Sequence, residues 1–175
     1  MEKFKELVEL QRAVDSGTRV IALDGLTSTA SKAYVLSRLS AKGRTMVIVT
    51  DTNATLDDWE ADLRFWARDS GEAVIALPSF ETDVYSGGSP HAETMERRAL
   101  ALWQMSAARP TFVLVSARSL ISRTVTAEEL RSLGATLRVD EDLSPDELVE
   151  RLAAAGYVRE DPIANIGQFS VRGGI

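Results

Sequence analysis

Apolar residues recur along this chain in two rhythms. Leu56, Trp59, Leu63 and Trp66 fall at alternating three- and four-residue steps, the spacing of a helix with one buried face. Between such stretches stand short continuous apolar runs: RVIAL at 19–23, TMVIV at 45–49, AVIAL at 73–77 and TFVLVS at 111–116. Runs of that length, rich in β-branched residues, are what strands buried on both faces look like. Helices are predicted over 3–15, 31–41, 53–68 and 91–106, with Gly17 and Gly43 closing the first two. Strands alternating with helices predict a parallel sheet covered on both faces, the open doubly wound α/β plan. On this reading Trp59 and Trp66 belong to the core, whereas Trp103 competes with Leu102 for the inward face of its helix.

The rhythm changes after residue 123. A short helix is predicted over 126–133, and ATLRV at 135–139 alternates like a half-exposed strand. Ser144, Pro145 and Glu147 form a helix start, with a hydroxyl cap, proline at the first position and glutamate at the third. That helix should end at Ala155, with Gly156 supplying the left-handed residue after it. Residues 168–172 alternate again. Phe169 and Val171 fall on one face, Gln168, Ser170 and Arg172 on the other. The expectation is two domains: 1–123, an open, mostly parallel α/β sheet with flanking helices, and 124–175, a smaller α+β domain with antiparallel strands, cut short at Ile175.

Composition narrows the function classes. Hydrophobic residues make up 45% and charged residues 26%, as in a chain that can bury a core. Cysteine is absent and histidine occurs once, at His91. Disulfides and thiolate metal sites are thereby excluded, and a histidine-based metal site or Ser-His-Asp triad is disfavoured. No metal ligands and no catalytic residues are assigned. The net charge is −6, and 16 of the 20 basic residues are scattered arginines. A free-standing DNA binder needs a basic face, because its affinity comes largely from phosphate neutralisation. Arginine forks suit carboxylates at protein interfaces instead. No apolar run approaches the ~18 residues of a membrane span, and MEKFKELVEL is not a signal peptide. The expected compartment is the cytoplasm.

The turn after the 19–23 run is where a phosphate loop would sit. G-x-x-x-x-G-K-[ST] needs glycines so that backbone N–H groups approach phosphate, a lysine to neutralise it, and a hydroxyl for Mg²⁺. Here Gly25 fits, but Ala30 stands at the second glycine, Ser31 at the lysine and Lys32 at the hydroxyl. No later run ends in a carboxylate pair; the last one ends in Ser116-Ala117. The layout is helicase-like and of P-loop type, with the loop degenerate, so no cofactor is assigned to this chain. The alternative is a weak nucleotide-binding or ATPase domain in which Lys32 substitutes for the lost lysine. A Rossmann enzyme is disfavoured, since no G-x-G-x-x-G follows a strand.

Several stretches together resemble one family. Gly25-Leu26-Thr27 resembles a decayed P-loop of the UvrB type. Leu77-Pro78-Ser79-Phe80-Glu81-Thr82, then Tyr85, then Ser89-Pro90-His91, is similar to the N-terminal region of bacterial transcription-repair coupling factors (Mfd). Gly156-Tyr157 and the run from Gly167 through Gln168, Phe169, Ser170, Val171, Arg172, Gly173 and Gly174 to Ile175 are similar to the same family. Residues 78–90 are too short for the aromatic DNA-probing hairpin of UvrB and offer only Phe80 and Tyr85, which favours the coupling factors. The resemblance implies a UvrB-like module that does not hydrolyse ATP and whose smaller domain recruits UvrA. It implies that ATP and Mg act in motor domains elsewhere, driving translocation on DNA that displaces stalled RNA polymerase. Arg172 matches the arginine that contacts UvrA in the family, with Ser170 and Gln168 beside it. Gly173 and Gly174 read as turn geometry, and Phe80, Glu81 and Tyr85 as loop anchors.

Overall fold

A computed structural model describes residues 2–39, 43–82, 85, 87–108 and 110–173, with backbone alone for 2–5. The side chain of Phe4, and Ala41, Gly174 and Ile175, lie outside the described residues. The fold is α/β. Three parallel strands, β1 (Met46–Thr50), β2 (Val74–Leu77) and β3 (Phe112–Ser116), form a sheet in the order β1-β3-β2. Val47 lies beside Val113, and Ile75 lies beside Val113 on the other side. Helices α1 (Glu2–Asp15), α2 (Thr29–Arg38), α3 (Asn53–Ala67), α4 (Ala92–Ala107), α5 (Ala127–Leu133) and α6 (Pro145–Ala154) complete the main elements. No described helix is long and apolar enough to cross a membrane.

Alternation along the strands divides the core into two layers. Val74, Ala76, Phe112 and Leu114 point one way and pack on Ala33 of α2 and on Leu56, Leu63 and Ala67 of α3. Ile75, Leu77, Val113 and Val115 point the other way and meet Ala101 of α4. Ions join the layers: Arg97 of α4 reaches Asp57 at 2.8 Å and Glu60 at 2.9 Å on α3. α4 covers β2 and β3 only, so Val47 and Val49 of β1 remain 58% and 55% exposed on that face.

The caps follow their sequence signals. Thr126 and Glu129 form the capping box of α5, hydroxyl to backbone in one direction and carboxylate to backbone in the other. These bonds, to the Thr126 backbone first and its hydroxyl second, hold the Glu129 carboxyl below its ordinary value. A depressed carboxyl stabilises the fold above its unfolded pKa, and that contribution fades as pH falls through the folded one. Ser144 caps α6 over Pro145, and Gly156 follows it at φ 89°. Trp103 on α4 packs against Gly134, the residue that ends α5, where a Cβ would overlap the indole ring. That position admits only hydrogen.

Three expectations are corrected. Residues 19–23 are not a strand: they are irregular, with Val20 81% and Leu23 50% exposed. A strand exists only by pairing, and this run joins no ladder. The strands expected after residue 123 do not pair antiparallel. β4 (Val158–Arg159) and β5 (Gln168–Phe169) run parallel, with Val158 beside Gln168, and 135–139 is irregular. Trp66 is not a core residue. It is 42% exposed and stacks edge-on against Tyr34 and Phe65, each 4.9 Å between ring centroids. Trp59, by contrast, packs against the core.

Candidate functional site

At the phosphate-loop position Ser28 and Ser31 bond to one another and cap the following helix. Gly25 has φ 81°, as a tight turn requires, and α2 begins four residues later at Thr29. Ser28 caps α2: its Oγ accepts from the Ser31 N–H at 3.2 Å, and the Ser31 hydroxyl donates to the Ser28 carbonyl at 2.8 Å. The Lys32 N–H donates to the same carbonyl. Lys32 itself is exposed in the first turn of α2. With 19–23 outside the sheet, the turn is not anchored at the carboxyl end of a strand as nucleotide loops are. ATP–Mg²⁺ titrated calorimetrically into the chain is expected to give no saturable heat at micromolar concentrations. Saturable binding that Lys32→Ala abolishes would establish a working nucleotide site.

The carboxyl end of the sheet carries a polar network instead. Asn53, at the start of α3, donates to the Ser79 carbonyl at 2.9 Å and accepts from the Ser79 N–H at 2.8 Å. It thus ties the β1–α3 turn to the segment after β2. Asp51 beside it is held below the ordinary carboxyl value by the Thr55 hydroxyl and then by the Thr52 N–H. Phe80 is half-buried under the Arg98 guanidinium, which lies 4.2 Å from its ring centroid. Glu81 is exposed at φ 52°, and Tyr85 is 94% exposed. Arg98 is 3% exposed and donates to the Pro78 carbonyl. Its charge is disfavoured by desolvation, and no carboxylate among the described residues pairs with it. This residue was missed in the sequence. Its signal was its spacing: Arg98 shares a helical face with Ala101 and Met105, an arginine on an apolar stripe. Among the described residues no three His, Asp or Glu side chains converge as metal ligands.

The second candidate surface is built on β4 and β5. Arg172 projects with 73% of its side chain exposed, and its Nη2 donates to Asp161 at 3.0 Å. Gln168 does not stand free: its Oε1 accepts from the Ala164 N–H at 2.8 Å and the Asn165 N–H at 2.9 Å. Nor does Ser170 face outward, since its Oγ is enclosed without a partner. Phe169 is half-buried and Val171 is 37% exposed. Strict alternation fails because β5 itself extends only over Gln168–Phe169. Asp161 and the Gln168 clamp depend on where the 160–167 loop folds back, which no local pattern encodes.

No family model matches the sequence. The chain is 31% identical over 176 residues to the transcription-repair-coupling factor of Myxococcus xanthus, covering 97% of this chain. It is 33% identical over 181 residues to that of Mycobacterium bovis, covering 98%. The chain matches transcription-repair-coupling factors over nearly its whole length. The factor of Staphylococcus haemolyticus is also similar, at 26% identity over 174 residues and 99% of this chain. In all three cases the chain spans 14% of the relative's length.

Proposed function

We propose that this chain is a partner-recognition module of a transcription-repair coupling factor, without catalysis of its own, and that it recruits UvrA through the surface around Arg172. The observation that carries the reading is Arg172. Its guanidinium stands exposed beyond β5 in a chain that matches coupling factors over nearly its whole length. An exposed arginine offers a planar fork to a carboxylate, which lysine reproduces poorly. Its pair with Asp161 is solvated on both sides and is weak enough to be exchanged for a partner's carboxylate. Gln168 and Ser170 support this surface from beneath, one through its loop contacts and the other from within. ATP and Mg²⁺ would be used by motor domains in other parts of the protein, which would act on DNA and on stalled RNA polymerase in the cytoplasm. The scattered charge and net −6 of this chain fit a module that touches protein and leaves DNA to those other parts.

In the full-length polypeptide, Arg172→Ala is expected to weaken UvrA binding by about 1–3 kcal/mol, the range for a charge-assisted contact at an interface. The melting temperature should hold, because an outward side chain supports little packing. Wild-type affinity in that variant, or a loss that merely tracks melting, would leave Arg172 a solvated surface residue.

A further inference from the structure

The loop that begins at Asp161, the partner of Arg172, exposes apolar residues in a short span. Ile163 is 55% exposed and Ile166 54%, both on the loop that returns from β4 to β5. Exposed isoleucines on a flexible loop would be a poor docking surface, since ordering them on contact offsets what their burial contributes. This loop is tied by side-chain hydrogen bonds. The Gln168 Oε1 sits inside it and accepts from two consecutive backbone N–H groups, Ala164 and Asn165. The residues bonded are those between the two isoleucines. β5 anchors the clamp in turn, because Gln168 is itself paired with Val158 in the two-stranded ladder. The Arg172–Asp161 pair ties the far side of the same loop to the segment after β5.

We propose that Gln168 is a positioning residue which, through the Ala164 and Asn165 amides, fixes Ile163 and Ile166 as the apolar part of a docking surface whose charged anchor is Arg172. The partner it fits presents a carboxylate set among apolar side chains. Arg172 spends one N–H on Asp161 and makes no other bond among the described residues, so its remaining donors are available to that carboxylate. Interfaces of this kind combine an arginine with apolar anchors that exclude water around it. The inference rests on the reading of Arg172 as the partner contact and identifies the partner with UvrA on that basis. It assigns Gln168 a different part from direct contact: its acceptor is already used inside the loop.

The test uses the full-length polypeptide and purified UvrA. Gln168→Leu keeps the size of the side chain but removes the acceptor. Gln168→Glu keeps an oxygen facing both amides. Hydrogen exchange should show the Ala164 and Asn165 amides protected in the wild type and in Gln168→Glu, and exposed in Gln168→Leu. UvrA affinity should fall five- to tenfold in Gln168→Leu and stay within twofold in Gln168→Glu. Ile163→Asp and Ile166→Asp should each lose tenfold or more without a change in melting temperature. Equal losses in Gln168→Glu and Gln168→Leu, with exchange unchanged, would mean that the amide touches the partner directly and would overturn the proposal. Full affinity in Gln168→Leu and both isoleucine variants, while Arg172→Ala still binds weakly, would overturn it and leave the arginine contact standing. Full affinity in Arg172→Ala would remove the reading beneath both.

Discussion

Phe112→Ala is expected to lower the stability of the chain by about 3–5 kcal/mol, the range for deleting a buried aromatic side chain. Phe112 opens β3, the strand with a neighbour on each side, and none of its surface is exposed. Its ring lies in the layer formed with Leu56, Leu63 and Ala67 of α3 and Ala33 of α2. Those side chains are held by helices that cross the sheet, so they cannot move inward to refill the space. The loss is therefore transfer free energy plus a residual cavity. Urea denaturation followed by circular dichroism measures it. A midpoint within the error of the wild type, at equal slope, would show that the site collapses and that β3 is not the centre of the fold. Against a typical domain stability of about 5–15 kcal/mol, the expected change brings the chain close to its unfolding threshold.

Arg98→Ala is expected to cost about 3 kcal/mol, by a different route. The guanidinium fills the space between α4 and the segment after β2, bonded to the Pro78 carbonyl and stacked on Phe80. A hydrogen bond to a charged group contributes about 1.5–3 kcal/mol, and a desolvated cation–π contact up to about 2. Desolvation opposes both, which is why burial depresses the basicity of this group. Truncation leaves the Pro78 carbonyl without its donor and the Phe80 ring without a lid. Unlike Phe112→Ala, the variant should also release the segment after β2 locally, raising amide exchange at Ser79 and Phe80 before global unfolding. Arg98→Lys tests the geometry, since a lysine has the charge but not the plane that lies over a ring. If Arg98→Ala is as stable as the wild type and those amides stay protected, the buried arginine is a spectator.

Why some of this was legible in the sequence and some was not follows from the range of the interactions. Capped helices are local: Thr126 with Glu129, and Ser144 with Pro145, announce α5 and α6 within four residues. The three apolar runs that pair are strands because each finds a neighbour. The run at 19–23 has the same composition and is no strand, because pairing is not a property of the run itself. Trp66 keeps the helical period of Leu56 and Leu63 yet falls at the rim, where the apolar stripe drifts off the sheet and a tyrosine of α2 takes up its edge. At the candidate surface, Arg172 could be picked out by resemblance. Asp161 and the loop amides that engage Gln168 are brought there by a parallel return that alternation misread as antiparallel.

The uncovered edge of the sheet also governs how this chain behaves in a tube. Among the described residues β1 is bonded on one side only; it carries two half-exposed valines and has neither lysine nor proline within Met46–Thr50 to discourage a second copy from adding to it. The shared net charge of −6 opposes that association. That repulsion reaches about 30 Å in 0.01 M salt but only about 8 Å at 0.15 M. Concentrated solutions of the isolated chain should therefore stay clear in dilute buffer and turn cloudy as salt is raised, with strand-to-strand association as the cause.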